Sequence, residues 1–502
     1  MRRLGALLVA SMLASGCTTL REWVQNGFKV GPEYGRPPAQ AAPDWIDAAD
    51  PRVHKQTEDL SRWWTVFNDP ALDSLICFAS QQNLTLREAA FRVLQARAQL
   101  GIDVGELFPQ TQDLSGGVAR TARSAAAAGA GLNAPRGFGQ FTLGFNLVWE
   151  LDVWGRLRRV IESDQAALDA TVEDYDAILV TLLGDVATNY TQLRTFEQRI
   201  AYAKRNVEIQ EETLRIVEAR FKAGTTNALD VNQARSTLEQ TRAEIPELEI
   251  SLRQTIHRLC TLLGVPPEDL RTKLGEGAIP TAPTDVAAGI PADLLRRRPD
   301  VRRAERQAAS QSARIGVAEA ELYPHFALDG NLGLSSAGLS KLFSQQAMTG
   351  SIGGSFTWNI LNYGRLRNNV RLQDAHFQEL IAAYQQSVLI ANNEVEDGLV
   401  QFLRAQERAK LQAASVDAAE KAVTIAVAQY RAGTIDLTRI TLLQQTLVQQ
   451  QDTLAQAQGE IVTGLIQVYR ALGGGWEIRV NGCDPTPRPS PKPEKKSKVI
   501  EV

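Results

Sequence analysis

Cys17 occupies the most distinctive chemical setting in the chain. Arg2 and Arg3 precede an apolar stretch from Leu4 to Leu13, and Leu13-Ala14-Ser15-Gly16-Cys17 follows. Such a basic, apolar, small-residue order is a secretory signal rather than a structural helix. Its last five residues read as a lipid-attachment box. Cleavage before Cys17 frees an amine, and that amine and the thiol carry lipid, which ties the chain to a membrane surface. Thr18, rather than Asp, follows Cys17, which leans towards the outer membrane. The remaining cysteines, Cys77, Cys260 and Cys483, are odd in number and fit no metal spacing. A Cys77–Cys483 disulfide is compatible with an oxidising compartment, and free or buried thiols equally so. His54, His257, His325 and His376 are scattered, Ser336 has no partner base, and Gly473-Gly474-Gly475 closes a helix instead of opening a phosphate loop. No enzyme, no metal and no cofactor beyond the lipid on Cys17 is expected.

The chain has 502 residues, a formal net charge of −3 and 44% hydrophobic residues. The charge gives no reason to expect a nucleic-acid partner, and no apolar run is long enough for a bilayer-spanning helix. The strongest organising feature is a duplication. Phe221-Lys222-Ala223-Gly224-Thr225 returns as Tyr430-Arg431-Ala432-Gly433-Thr434, Trp154-Gly155-Arg156-Leu157 as Tyr363-Gly364-Arg365-Leu366, and Leu263-Gly264 as Leu472-Gly473, each 209 residues later. Leu107-Phe108-Pro109 returns as Leu322-Tyr323-Pro324 after 215, so one connection is longer in the first copy. Two copies of one large supersecondary unit are implied.

Each copy is built around a seven-residue apolar repeat. Ile381, Val388, Val395, Phe402, Ala409, Val416, Val423 and Tyr430 correspond to Val172, Leu179, Val186, Leu193, Ile200, Val207, Leu214 and Phe221. A heptad stripe of this length predicts a left-handed coiled coil. No Pro interrupts 155–222 or 364–431, and at 1.5 Å per residue each predicts a helix roughly 100 Å long. Val231, Leu238, Ile245, Leu252 and Leu259, with their counterparts Ile440, Leu447, Leu454, Ile461 and Val468, extend the stripe after each Gly-Thr turn. Two antiparallel helical hairpins follow, with Gly224 and Gly433 at positions suited to positive φ and a kink expected at Pro246. A second stripe, Leu168, Tyr175, Leu182, Asn189, Phe196, Ala203, Gln210 and Val217, mixes large, small and polar residues. That mixture suits a helix packed between two neighbours in a curved wall.

Between the helices the period changes to two. Phe141–Trp149, Phe326–Leu334 and Ile352–Ile360 alternate apolar with small or polar residues, and Thr111–Ala122 does so more weakly. Ser124–Gly139 joins the first pair of strands and Gly338–Thr349 the second. Runs of about 9–11 residues match the tilted strands of a membrane barrel. Four such strands cannot close, since single-chain barrels begin at about eight, and open edges in lipid leave backbone groups unpaired. Three copies supply twelve strands around a lumen faced by Thr, Ser, Asn and Gly.

The sequence is identified as similar to a known family by Val30-Gly31-Pro32-Glu33-Tyr34, Trp63-Trp64-Thr65-Val66-Phe67-Asn68-Asp69-Pro70, Leu151-Asp152-Val153-Trp154-Gly155-Arg156, Ile290–Val301 and Ala471–Trp476. From Cys17 to Trp476 it resembles the TolC-like outer-membrane factors, in the lipoprotein branch that serves multidrug efflux systems. The resemblance implies a mainly α fold with a β-barrel portion: a homotrimer whose twelve-stranded outer-membrane barrel is continuous with a long periplasmic α-helical barrel. It implies a signal over 1–16, a lipid-anchored equatorial segment over 17–84, a first repeat over 85–264, an equatorial linker over 265–299, a second repeat over 300–475, and an equatorial end with a Pro/Lys-rich tail over 476–502. The tail composition of Asp484–Val502 predicts disorder.

The same resemblance implies a passive exit duct for drugs or other small toxic compounds, docked at its helical tips by a periplasmic adaptor that links it to an inner-membrane transporter. Gly224, Thr225, Gly433 and Thr434 match the tip turns. Asp230 matches the tip acid of the first hairpin and Tyr430 its aromatic partner on the second, so a periplasmic gate is expected from Asp230, Tyr430, Arg439 and Gln444. The match breaks where relatives often place a pore-facing acid: Leu442 or Gln444 stands there, with Arg439 a turn earlier. A ring of three carboxylates is therefore not carried over. Two other readings fit parts of the chain: an outer-membrane duct for type I protein secretion, and a structural coiled-coil lipoprotein of the envelope.

Overall fold

Glycine and proline punctuation decides where the long helices begin and end. The computed structural model describes residues 20–40, 42–56, 59–122 and 137–483. Cys17 with the signal, most of the first strand connection and the tail 484–502 lie outside the described residues. In chain order the elements are α1 (Leu20–Gln25), β1 (Val53–His54), α2 (Pro70–Gln82), α3 (Leu84–Gly105), β2 (Thr111–Ala122), β3 (Gly137–Leu151), α4 (Arg156–Lys222), α5 (Ala228–Leu262), α6 (Arg271–Leu274), β4 (Val286–Ala287), α7 (Leu294–Arg297), α8 (Pro299–Ala320), β5 (His325–Ser336), β6 (Met348–Thr357), α9 (Arg365–Arg431), α10 (Leu437–Ala471) and α11 (Ile478–Asn481). The duplication is exact in length: α4 and α9 have 67 residues each, α5 and α10 have 35 each. Both heptad stripes of α4 contribute buried residues, Leu179, Val186 and Leu193 from one and Leu182, Ala203, Gln210 and Val217 from the other. Pro246 lies inside α5, and the helix continues through it.

The chain divides into two compact units. The first holds residues up to Ala39, Phe91–Glu173 and Arg302–Ser387. Its centre is an antiparallel sheet ordered β2-β3-β5-β6. Strand β6 ends at Thr357, earlier than the alternation through Ile360 suggested. The strand stops where its partner does, since Thr357 lies opposite His325, the first residue of β5, and the Trp358 indole donates to the Leu322 carbonyl at 3.0 Å. Trp149, its counterpart in the first copy, donates to Leu107 at 3.1 Å. Each copy thus clamps the turn that follows α3 or α8. In the same unit the N-terminal segment is strapped down by Arg159, which is fully buried and donates to the carbonyls of Val30 and Gly31 at 3.0 Å each. Gly31 (φ +85°) lies so close to Gly316 that a Cβ there would overlap its Cα.

The second unit holds Gln40–Ala90, Asp174–Val301 and the residues from Val388 onward. Here three stretches distant in sequence meet. Trp63 stacks on Tyr469 at 5.6 Å, and Gly474 and Gly475 lie against its indole. Arg298 donates to the Ala471 carbonyl at 2.9 Å and pairs with Asp300 and Glu394. β1 pairs with β4. Cys77 on α2 and Cys483 are joined as a disulfide, Cα atoms 5.4 Å apart, while Cys260 is free and buried. Arg479 on α11 forks onto the buried carboxylate of Asp176. Residues around Trp63 and Cys77, the stretch 286–300 and the segment after Ala471 therefore meet within this unit, whereas the chain before Gln40 belongs to the first.

Candidate functional site

Two regions have the features of a conduit: the two-faced sheet and the tips of the hairpins. On β3, Phe141, Leu143, Phe145, Leu147 and Trp149 share one face, since side chains alternate along a strand. Register places Leu114, Val118, Leu328, Leu332 and Leu334 opposite them. The other face carries Thr142, Asn146, Asp113, Asn331 and Ser351. There Asn146 donates to Asp113 at 2.9 Å and accepts from Asn331 at 2.5 Å, a hydrogen-bonded row across three strands. One face is fit for hydrocarbon and the other for water. Strands β2 and β6 are each paired on one side only, and all of their residues are exposed. Their free backbone groups cannot remain so in lipid, so in a membrane such a sheet needs further strands at both edges.

At the tips, each hairpin turns through the same motif. Gly224 (φ +74°) and Gly433 (φ +77°) adopt the left-handed conformation open to glycine. Thr225 N–H reaches back to Arg220 O at 2.9 Å, and Thr434 N–H to Gln429 O at 3.0 Å, closing the last helical turn. Asn227 then caps α5 by accepting from Asp230 N, and Asp436 caps α10 by accepting from Arg439 N, both at 3.0 Å. Gly224, Thr225, Gly433 and Thr434 are exposed, and Phe221 and Leu229 beside them also face outward.

Behind the turns Val217, Ala234, Ala426, Tyr430, Leu437 and Ile440 form one buried cluster drawn from all four helices. The structure brings Asp230 near Tyr430. The Asp230 carboxylate accepts from Thr226, which also acts on the buried Tyr430 hydroxyl. Burial, opposed by Arg220 and aided by Asp230, raises the Tyr430 pKa above its ordinary value, so the phenol remains a donor. Arg439 is exposed. Gln444 departs from the expected gate position: it is buried between α10 and α4 and donates to Thr213 Oγ1 at 2.8 Å. The reason is spacing, since 440, 444, 447 and 451 share the buried face of α10.

Arg220 is a tip residue that sequence reasoning passed over. Its guanidinium covers the Tyr430 ring at 4.5 Å and donates to the Tyr430 carbonyl at 2.8 Å, a cation over an aromatic face and beside the negative end of α9. Arg431 returns the tie to Glu212 on α4 at 2.7 Å. The available signal was a basic residue in the last turn of a helix that ends beside another.

Comparison with known proteins matches the family model for outer membrane efflux proteins over residues 75–265 and 290–474. A pyoverdine export outer membrane protein, OpmQ of Pseudomonas putida, is 32% identical over 423 residues, covering 83% of this chain and 88% of its own. The solvent efflux pump outer membrane protein SrpC of Pseudomonas putida is 31% identical, covering 94% and 98%. Among solved structures, the outer-membrane channel OprN superposes with a TM-score of 0.83 at 32% identity, covering 89% of this chain and 99% of that one.

Proposed function

The chain belongs to the outer membrane efflux protein family, and from that premise we propose that it is the passive exit duct of a tripartite pump, carrying small toxic compounds across the outer membrane. The observation that carries this reading is the four-stranded sheet with one apolar face, one hydrogen-bonded polar face and two unpaired edges. Three copies of that sheet give a closed twelve-stranded barrel, within the range of single-lumen outer-membrane barrels. Energy enters elsewhere, from an inner-membrane transporter reached through a periplasmic adaptor. The adaptor docks on the exposed tip turns at Gly224, Thr225, Gly433 and Thr434. A wide duct selects little, so cargo class follows the transporter. Single-channel conductance of the full-length protein in a planar bilayer tests the duct. Stable currents are expected, and none would leave the structural-lipoprotein reading in its place.

Acylation of Cys17 fixes the trimer to the inner leaflet. Cys17→Ala is expected to lose all incorporation of labelled palmitate, and undiminished labelling would remove the anchor from the account. The periplasmic mouth is held by the tip network around Tyr430, whose phenol feels the Asp230 charge, with exposed Arg439 reaching an adjoining hairpin. Asp230→Ala combined with Tyr430→Phe is therefore expected to raise single-channel conductance. An unchanged conductance would mean that Tyr430 serves packing alone.

A further inference from the structure

The duplication provides an internal comparison for the start of each long helix. In the first copy α4 opens on an anion. The Asp152 carboxylate accepts from Leu157 N at 3.0 Å and, through its other oxygen, from Arg158 N at 3.1 Å and Arg158 Nε at 2.9 Å. The flanking arginines are neutralised as well, Arg156 by Glu150 and Arg159 by Glu162. The second copy keeps the cradle and changes the acids. Gly155 and Gly364 turn at φ +80° and +83°, α4 and α9 start on the next residue, and Leu157 and Leu366 are equally buried. Arg365 and Arg367 stand where Arg156 and Arg158 stand, yet Asn359, Leu361 and Arg371 replace Glu150, Asp152 and Glu162. Arg365, Arg367 and Arg371 are exposed, and among the described residues none of them pairs with a carboxylate. Arg371 donates only to Asn368, at 3.4 Å.

Two observations put this second cradle at a membrane surface. The helix α1 begins three residues after Cys17, and its Trp23 packs on Trp154, ring centroids 5.6 Å apart. The Trp154 junction therefore lies at the leaflet that an acyl chain on Cys17 enters, and Tyr363 is the counterpart of Trp154. In the second copy Ile360, Leu361 and Tyr363 are 68%, 80% and 96% exposed. Apolar residues and a tyrosine followed at once by arginines belong to the boundary between hydrocarbon and headgroups. We infer that Arg367 and Arg371, one turn apart on one face of α9, hold the phosphate of an anionic phospholipid of the inner leaflet, with Leu366 N and Arg367 N directed at it as their counterparts are at Asp152. The acyl chains lie along Ile360, Leu361 and Tyr363. The first copy shows that this cradle takes a carboxylate, and the positive end of the α9 dipole adds to the demand for an anion. A second copy of the chain brings no acid to the place. Glu319 of α8, beside Gly31 in the first copy, has Val104 as its counterpart on α3.

This inference rests on the reading of the sheet as a membrane duct, and one preparation separates the two. Full-length protein, purified in an uncharged detergent and stripped of lipid, is titrated with phosphatidylglycerol, with phosphatidylcholine and with inorganic phosphate, and bound lipid is read by native mass spectrometry. One phosphatidylglycerol per chain is expected, in preference to phosphatidylcholine and undisturbed by phosphate. Arg367→Gln together with Arg371→Gln is expected to weaken its binding at least about tenfold, the scale for two arginines at an anionic lipid surface. Leu361→Asp leaves both arginines in place and sets a carboxylate where the first copy has one, and is expected to weaken binding to a similar extent. Arg404→Gln, at an exposed arginine of α9 that pairs with Glu407, is expected to change nothing and controls for charge alone. Equal retention by the parent and both variants overturns the inference. Displacement of the lipid by phosphate overturns it in favour of a site for free anions. Trimer loss in the arginine variant, independent of added lipid, overturns it in favour of an acid on a second copy. Single-channel current from the same preparation reads the duct separately: no current in the parent overturns the duct, and current without lipid retention overturns the lipid site alone.

Discussion

Phe145→Arg abolishes outer-membrane assembly in this account, whereas Asn146→Arg, one residue further along the same strand, leaves assembly intact and alters conductance. The two positions differ only in the face they occupy. Phe145 pairs with Leu114 and Leu332 on the apolar side of the sheet, and Asn146 lies in the row formed with Asp113 and Asn331. An arginine facing lipid costs about 2–4 kcal/mol near the bilayer midplane. Because the barrel contains three copies of the strand, the total is on the order of 6–12 kcal/mol, comparable to the whole stability of an ordinary domain. At position 146 the guanidinium meets water and the Asp113 carboxylate, so the barrel tolerates it. Heat-modifiable trimer bands from outer membranes read assembly directly. Equal assembly of the two variants would mean that the sheet does not divide lipid from water.

Trp63→Ala removes a fully enclosed indole and is expected to destabilise the second unit by about 3–5 kcal/mol, the usual range for a large aromatic deleted from a core. Trp63 is 2% exposed, stacks on Tyr469 and meets Trp64 and Phe67 edge-on. Its Nε1 makes no hydrogen bond among the described residues, so the loss is one of packing. Trp63→Phe should then retain much of the stability. Thermal unfolding of the two purified variants checks the ranking, and a Trp63→Phe as unstable as Trp63→Ala would point to a missed role for the indole nitrogen.

The sequence made the repeat legible because duplication preserves both spacing and period. The heptads from Val172 to Phe221 and from Ile381 to Tyr430 marked the 67-residue helices, and Gly224 and Gly433 marked where they turn. Alternation found the strands and which residues share a face. It overran the end of β6, because Trp358 and Ile360 continue the apolar pattern beyond Thr357, the residue opposite the start of β5. Contacts between distant segments were harder to see. The Cys77–Cys483 pairing needed the fold to bring residues 406 apart in sequence together. Gln444 looked like a pore residue by its place in the chain, yet helical phase turns it to Thr213. Arg159 and Arg220 carry no distinguishing mark in the sequence, yet one is sealed beneath the N-terminal strap and the other covers Tyr430. A single chain shows one wall of each neighbourhood, and charges at helix ends find their partners across the bundle.

Imaging of the full-length protein, extracted from outer membranes in detergent, tests the central claim most directly. The account predicts a three-fold hollow tube with a detergent belt at one end, twelve strands within the belt and the paired hairpins at the opposite end. A solid rod, or a monomer without a belt, would contradict it and remove the strands from the membrane.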